Sequence, residues 1–261
     1  MKWAELTSDQ LQEARERADG VAMIPVGSME RHGPHLPMGC DALVAEAIAE
    51  RVAAIEPVVV LPVMSYTYVP QPMFQPGAIH VKSSLLLAFL AEVLDEVHRN
   101  GFGKIVLLHS HGGNIPMSQT ILQHVLEETK PYALYSIPPW AGARVGDVRE
   151  TSEVGHACEL ETSVALALFP QLVRMEVLGP RVYSAERTLD VGAAQTPIDW
   201  IARYPTCCTG TPQAATAEKG ERLVQLWVDA VVDTLRKVKR DRQVEEWMRR
   251  SRFHGMERSI L

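Results

Sequence analysis

No apolar run in this 261-residue chain approaches the ~20 residues needed to cross a bilayer. The N-terminus, Met1-Lys2-Trp3-Ala4-Glu5, turns polar and acidic at once, which is not the pattern of a secretory signal. Basic charge is scarce: 26 Lys and Arg stand against 32 Asp and Glu, and a formal charge of −6 argues against a nucleic-acid binder. The one basic cluster, Arg236, Lys237, Lys239, Arg240 and Arg242, reads as a solvated helix face. Cysteine is sparse too. Cys40, Cys158, Cys207 and Cys208 include no Cys-x-x-Cys pair, and the adjacent Cys207 and Cys208 would strain a mutual disulfide. That is the usage of a reducing compartment, so a cytoplasmic protein with no membrane or nucleic-acid partner is expected. Also missing are a P-loop or Gly-x-Gly-x-x-Gly string, internal repeats and any linker-like shift in composition. One domain over residues 1–261 is therefore expected.

What is present is 46% hydrophobic sequence, arranged as short aliphatic runs alternating with helical segments. That order predicts an α/β fold. Strands are expected at 21–27, 58–63, 104–108 and 133–137. Helices are expected at 41–55, at 83–99 with Ser83 or Ser84 as N-cap and Asn100-Gly101 as stop, at 116–128, from about 159, and at 216–239. Residues 175–215 read as irregular. The histidines and acids fall at strand ends and in the loops that follow, the edge where open α/β sheets bind ligands.

Three clusters carry chemistry. In Glu30-Arg31-His32 the carboxylate and imidazole are two apart, so an extended segment points both the same way. Gly33, Pro34, Pro37 and Gly39 then turn the chain, which can bring Asp41 back as a bridging carboxylate for a two-metal site. In His109-Ser110-His111-Gly112-Gly113-Asn114 two histidines again share a parity, and the glycines let backbone approach a ligand. In His156-Ala157-Cys158-Glu159-Leu160-Glu161, Glu161 falls in the first turn of an apolar helix, and Glu159 is expected to face solvent. Together the clusters supply mixed nitrogen and oxygen ligands that suit zinc, manganese or iron. Trp140, after two prolines, is either a lid over a pocket or a core residue. Pro70, Pro72 and Phe74 suggest a shaped lip or an oligomer contact, and His80 a surface position.

These strings resemble the creatininase (creatinine amidohydrolase) family. Gly27-Ser28-x-Glu30-x-His32-Gly33-x-His35-Leu36-Pro37-x-Gly39-x-Asp41 looks like its first signature. His111-Gly112-Gly113-Asn114, His156-Ala157-x-x-x-Glu161-Thr162-Ser163 and Ala215-Thr216-Ala217-Glu218-Lys219-Gly220 are similar to later ones. The resemblance implies a three-layer α/β/α fold with a mostly parallel sheet, and a homo-oligomer, often a hexamer. It implies one or two divalent ions held by Glu30, His32, Asp41, His111 and Glu161, with Asp41 as bridge and His156 as the proton-carrying catalytic residue. The implied reaction is hydrolysis of a small, cyclic or linear, non-peptide amide by metal-activated water. Departures are visible. The family's type enzyme has an aromatic and a carboxylate where this chain has Gly112 and Gly113, and a tryptophan where it has Ser152. His109 replaces a more usual asparagine and, with Trp140, is a candidate to contact substrate. Two rival readings keep the same ligands: hydrolysis of a ring ketone or lactone, and metal binding without catalysis.

Overall fold

Aliphatic runs too short for helices build the sheet. The computed structural model describes residues 1–253. Its strands are β1 (Val21–Val26), β2 (Val59–Val60), β3 (Lys104–His109) and β4 (Ala133–Ile137), all parallel, in the order β2-β1-β3-β4. Parallel strands need crossover helices, and these cover both faces. Strand parity divides the core accordingly. Val21, Met23, Val106 and Leu108 pack with α2 (Cys40–Ile55), α5 (Glu159–Leu168) and α7 (Ala217–Arg240). Ala22, Ile24, Ile105 and Leu107 pack with α1 (Ser8–Arg17), α3 (Ser83–Arg99) and α4 (Ile115–Glu127). The result is the three-layer α/β/α arrangement.

Several boundaries differ from expectation for identifiable reasons. β2 is shorter than 58–63: Leu61 N–H still bonds Met23 O, but Pro62 has no N–H to continue the ladder. Lys82, not Ser83 or Ser84, occupies the N-cap of α3, without a side-chain cap bond. α1, closed by a Thr7–Gln10 capping box, buries only Ala14 and so shows almost no apolar periodicity. Residues 175–215 contain one short α-helix, α6 (Asp199–Arg203), besides two single 3-10 turns, and after α7 the chain forms α8 (Gln243–Phe253). The basic cluster is not wholly solvated either. Lys239 is buried and pairs with Glu56 at 2.7 Å. Buried Lys104 donates to the carbonyls of Val238, Lys239 and Asp241 at 2.8, 3.0 and 2.6 Å, satisfying the C-terminal end of α7. Among the described residues no helix is long and apolar enough to cross a membrane.

Two features of this fold position the site. The central strands β1 and β3 end side by side, Val26 opposite His109, so the segments that follow them start from one edge. At Gly27 the end of β1 runs against the start of α2, where a Cβ would lie 2.4 Å from Ala42 N. Only glycine admits that approach, and it sets Asp41, in the first turn of α2, beside the loop carrying Glu30 and His32.

Candidate metal centre

Four of the five ligand candidates converge. His111 Nδ1 lies 2.7 Å from Glu30 Oε1 and 3.0 Å from Asp41 Oδ2, while His32 Nε2 lies 3.2 Å from the other Asp41 oxygen, Oδ1. All four residues are buried. Ser28 Oγ sits between the acids, 2.7 Å from Asp41 Oδ2 and 3.2 Å from Glu30 Oε1. Ser110 fixes the backbone of Asp41 through a 2.7 Å bond to its carbonyl. Ligand atoms in two triads, Glu30–Asp41–His111 and Glu30–His32–His156, lie within 4.8 Å of one another.

Glu161 stands at the edge of this cluster and belongs to neither triad. Its Oε2 accepts the Ala157 N–H at 2.5 Å, and Ala157 holds a φ of 51° immediately before α5. The same turn presents His156. Its Nε2 must donate to the Arg31 carbonyl at 2.7 Å, which leaves Nδ1 as the bare nitrogen. His156 stacks at 4.0 Å between centroids on His32, and Trp200 meets it edge to face at 5.4 Å. His35 ties the first loop to α5 through a 2.8 Å bond between Nε2 and Thr162 Oγ1.

The charges follow from burial and from these contacts. Burial works against ionisation of Asp41, yet His32 and His111 hold its carboxyl well below the usual range. Glu30 is likewise lowered, burial being overcome by His111 and His156. Burial also opposes charge on His32, and Asp41 outweighs it, raising the imidazole to about 10; His111 is raised by Glu30 and Asp41. Burial pushes Glu161 up to about 7. His156 falls to about 4 through burial and repulsion by His32, so it is neutral. Buried carboxylates faced by imidazoles, with His111 Nε2 buried and unpartnered, form a donor set that fits a divalent cation.

A cavity of about 460 Å³ opens on this cluster, with Glu30, His111, Gly113, Trp140, His156 and Trp200 in its walls. Trp140 is shared between the cavity and the core. It lines the cavity and stacks on buried Trp227 at 4.7 Å. His109 corrects the expectation of substrate contact. It is absent from the lining, since parity turns it to the opposite sheet face from Leu108, where both ring nitrogens are buried without partners.

Glu159 corrects a second expectation, because it is fully buried. It accepts Thr151 N–H at 2.8 Å, Thr151 Oγ1 at 2.6 Å and Glu150 N–H at 2.9 Å, and pairs with Lys219 at 2.7 Å. Thus it anchors the loop forming one cavity wall. Those partners outweigh burial and lower its carboxyl from 4.5 to about 2. Its stabilisation is full above pH 4.5 and is lost as pH falls through about 2. Glu159→Gln is expected to cost ~3 kcal/mol at neutral pH. A urea titration checks this; the deficit should shrink as pH approaches 2.

Gly113 also has a reason in the structure. A Cβ there would lie 2.3 Å from His111 Nε2, so no carboxylate can extend from this position without displacing that ring. Gly113→Ala is expected to lower metal affinity ~10- to 100-fold, by analogy with losses on disturbing a ligand's support. Competition with a chromophoric chelator measures it. The residues sequence reasoning missed are Ser28, whose role needs the folded loop, and Trp200, carried on α6 with no motif around it.

The fold is thus a parallel α/β sheet with a buried acid–imidazole cluster, a candidate metal site, at its strand ends. The chain matches the creatininase family (Creatinine amidohydrolase) over residues 4–235. It is 30% identical over 260 residues to a 3-dehydro-scyllo-inosose hydrolase of Thermotoga maritima, with 90% of this chain and 81% of the relative covered. It is 26% identical over 246 residues to a creatinine amidohydrolase of Pseudomonas putida, with 86% and 92% covered. A solved creatininase in a Mn form shares the fold at a TM-score of 0.80 and 24% identity, covering 92% of this chain and 99% of that one. The chain belongs to the creatininase family, whose members are metal-dependent hydrolases, and it is an enzyme.

Proposed function

We propose that this enzyme hydrolyses a small, cyclic amide with the help of one or two divalent ions, which Asp41 would share where two are bound. The observation that carries the reading is the division of the Asp41 carboxylate, Oδ1 toward His32 and Oδ2 toward His111 and Glu30. Glu30, Asp41 and His111 would hold one ion, and His32, Asp41 and Glu161 the other. Bound zinc, manganese or iron would polarise a carbonyl and lower the pKa of water toward ~7.

The protein's own groups complete the reaction. Neutral His156, its N–H fixed on the Arg31 carbonyl, offers Nδ1 to take a proton and then deliver it to the departing nitrogen. An amide nitrogen leaves poorly unless protonated, so such a group is needed. Ser28 holds the two carboxylates apart and oriented. A homo-oligomer would cover Phe74, Leu85 and Phe89, which are 69%, 63% and 54% exposed. The four free cysteines are consistent with a reducing, cytoplasmic setting.

A second reading, hydrolytic opening of a ring ketone, is favoured by the Thermotoga maritima relative, an inosose hydrolase by name. The test is turnover of neutral cyclic amides by metal-loaded protein. Activity abolished by a chelator and restored by manganese or zinc supports the first reading. Activity confined to ring ketones supports the second.

A further inference from the structure

His156 is held from two sides by backbone. Its Nε2 donates to the Arg31 carbonyl at 2.7 Å, and its own carbonyl accepts the Thr209 N–H at 2.9 Å. Arg31 stands between Glu30 and His32, so the carbonyl that fixes the ring belongs to the loop carrying two ligand candidates. Thr209 ends a segment, 199–209, that opens with α6 and brings Trp200 edge to face against the ring at 5.4 Å. Whatever keeps these two pieces of backbone in register decides where the imidazole sits.

One direct backbone bond joins them, from Gly33 N–H to the Cys207 carbonyl at 2.6 Å. The second link is a side chain from a third segment. Arg31 Nη1 donates to Gln75 Oε1 at 2.7 Å, and Gln75 Nε2 donates to the Pro205 carbonyl at 2.9 Å. The partners fix the orientation of the amide, because a guanidinium only donates and a carbonyl only accepts. Neither a carboxylate nor an ammonium meets both demands. The first would face the Pro205 carbonyl with another acceptor, and the second would face Arg31 with another cation. Gln75 is itself anchored, its N–H closing the turn Pro72–Phe74 on the Pro72 carbonyl at 2.8 Å. Arg31, Gln75 and Pro205 are all half-buried, which limits competition from water. Gln75 lies outside the cavity lining and outside both ligand triads, so it reaches the site only through what it holds.

We propose that Gln75 is a positioning residue whose amide locks segment 199–209 onto the ligand loop, keeping the His156 ring on the Arg31 carbonyl and against Trp200. The inference rests on the hydrolase reading above for what His156 does, and on the geometry alone for the clamp.

Hydrogen exchange read by mass spectrometry on zinc-loaded wild type, Gln75→Leu and Gln75→Glu tests the clamp without a substrate. Gln75→Leu is expected to speed exchange about tenfold in peptides covering 29–36 and 199–210, while the sheet strands stay protected. Gln75→Glu restores only the Arg31 half, so 199–210 is expected to remain fast. Turnover is followed in parallel with creatinine as a cyclic amide and an inosose as a ring ketone. On whichever wild type hydrolyses, Gln75→Leu is expected to lower kcat about tenfold at unchanged KM and zinc content. Unchanged exchange in Gln75→Leu, protection of 199–210 restored by Gln75→Glu, or faster exchange across the whole chain overturns the proposal. A wild-type kcat in Gln75→Leu, or loss of zinc from it, overturns it too. If wild type hydrolyses neither probe, the hydrolase reading loses support, and the exchange pattern alone decides the clamp.

Discussion

His156→Ala is expected to lower kcat about 10³-fold, within the usual range for removing a general acid–base, while leaving metal content unchanged. The argument rests on where the ring's proton sits. A carbonyl can only accept, so the Arg31 contact fixes the proton on Nε2 and leaves Nδ1 free. Burial and the charge on His32 keep the ring neutral, as a group must be if its first task is to accept a proton. His156→Gln should not rescue activity, since an amide can hold the Arg31 contact but cannot shuttle a proton. Metal analysis separates this role from its rival. A His156 ring nitrogen also lies within 4.8 Å of ligand atoms of Glu30 and His32. Loss of an ion together with turnover would make His156 a ligand.

Asp41→Ala is expected to reduce metal retention to background and turnover by more than ~10⁴-fold, because one carboxylate serves both sides of the cluster. The change also removes the partner that keeps His32 and His111 charged in a buried place. Breaking a buried pair by deleting one member costs ~3–5 kcal/mol, so the metal-free variant should melt well below metal-free wild type at neutral pH. The sign of the pH effect is defined. With its pKa raised from 6.5 to about 10, His32 contributes its full stabilisation below pH 6.5 and loses it as pH rises through about 10. The gap between metal-free wild type and Asp41→Ala should therefore narrow across that interval. Asp41→Asn, which keeps the volume, separates loss of charge from loss of packing.

The central strands were legible in the sequence because a parallel sheet covered on both faces demands nearly continuous aliphatic runs, and β1 and residues 105–108 of β3 are such runs. α1 was not, since its exposed faces are polar and its stabilising cap lies in two residues, Thr7 and Gln10. At the site, Glu30 and His32 were readable from spacing, and Asp41 from the glycines and prolines that turn the chain between them. Glu159 was misread because Lys219, which neutralises it, lies 60 positions away. His109 shares the parity of His111 on paper, but the strand ends at His109, and the chain beyond it turns His111 to the acids. Trp200 reaches the cavity only through the tertiary path of an otherwise unpatterned segment, so no local spacing announces it.

Elemental analysis of metal-loaded, desalted wild type beside Asp41→Ala tests the central claim most directly. The expected result is about one or two equivalents of a transition metal per wild-type chain and none in the variant, consistent with a carboxylate that either ion would need. A wild-type chain that retains no metal after loading, or a variant that retains as much as wild type, would contradict the account.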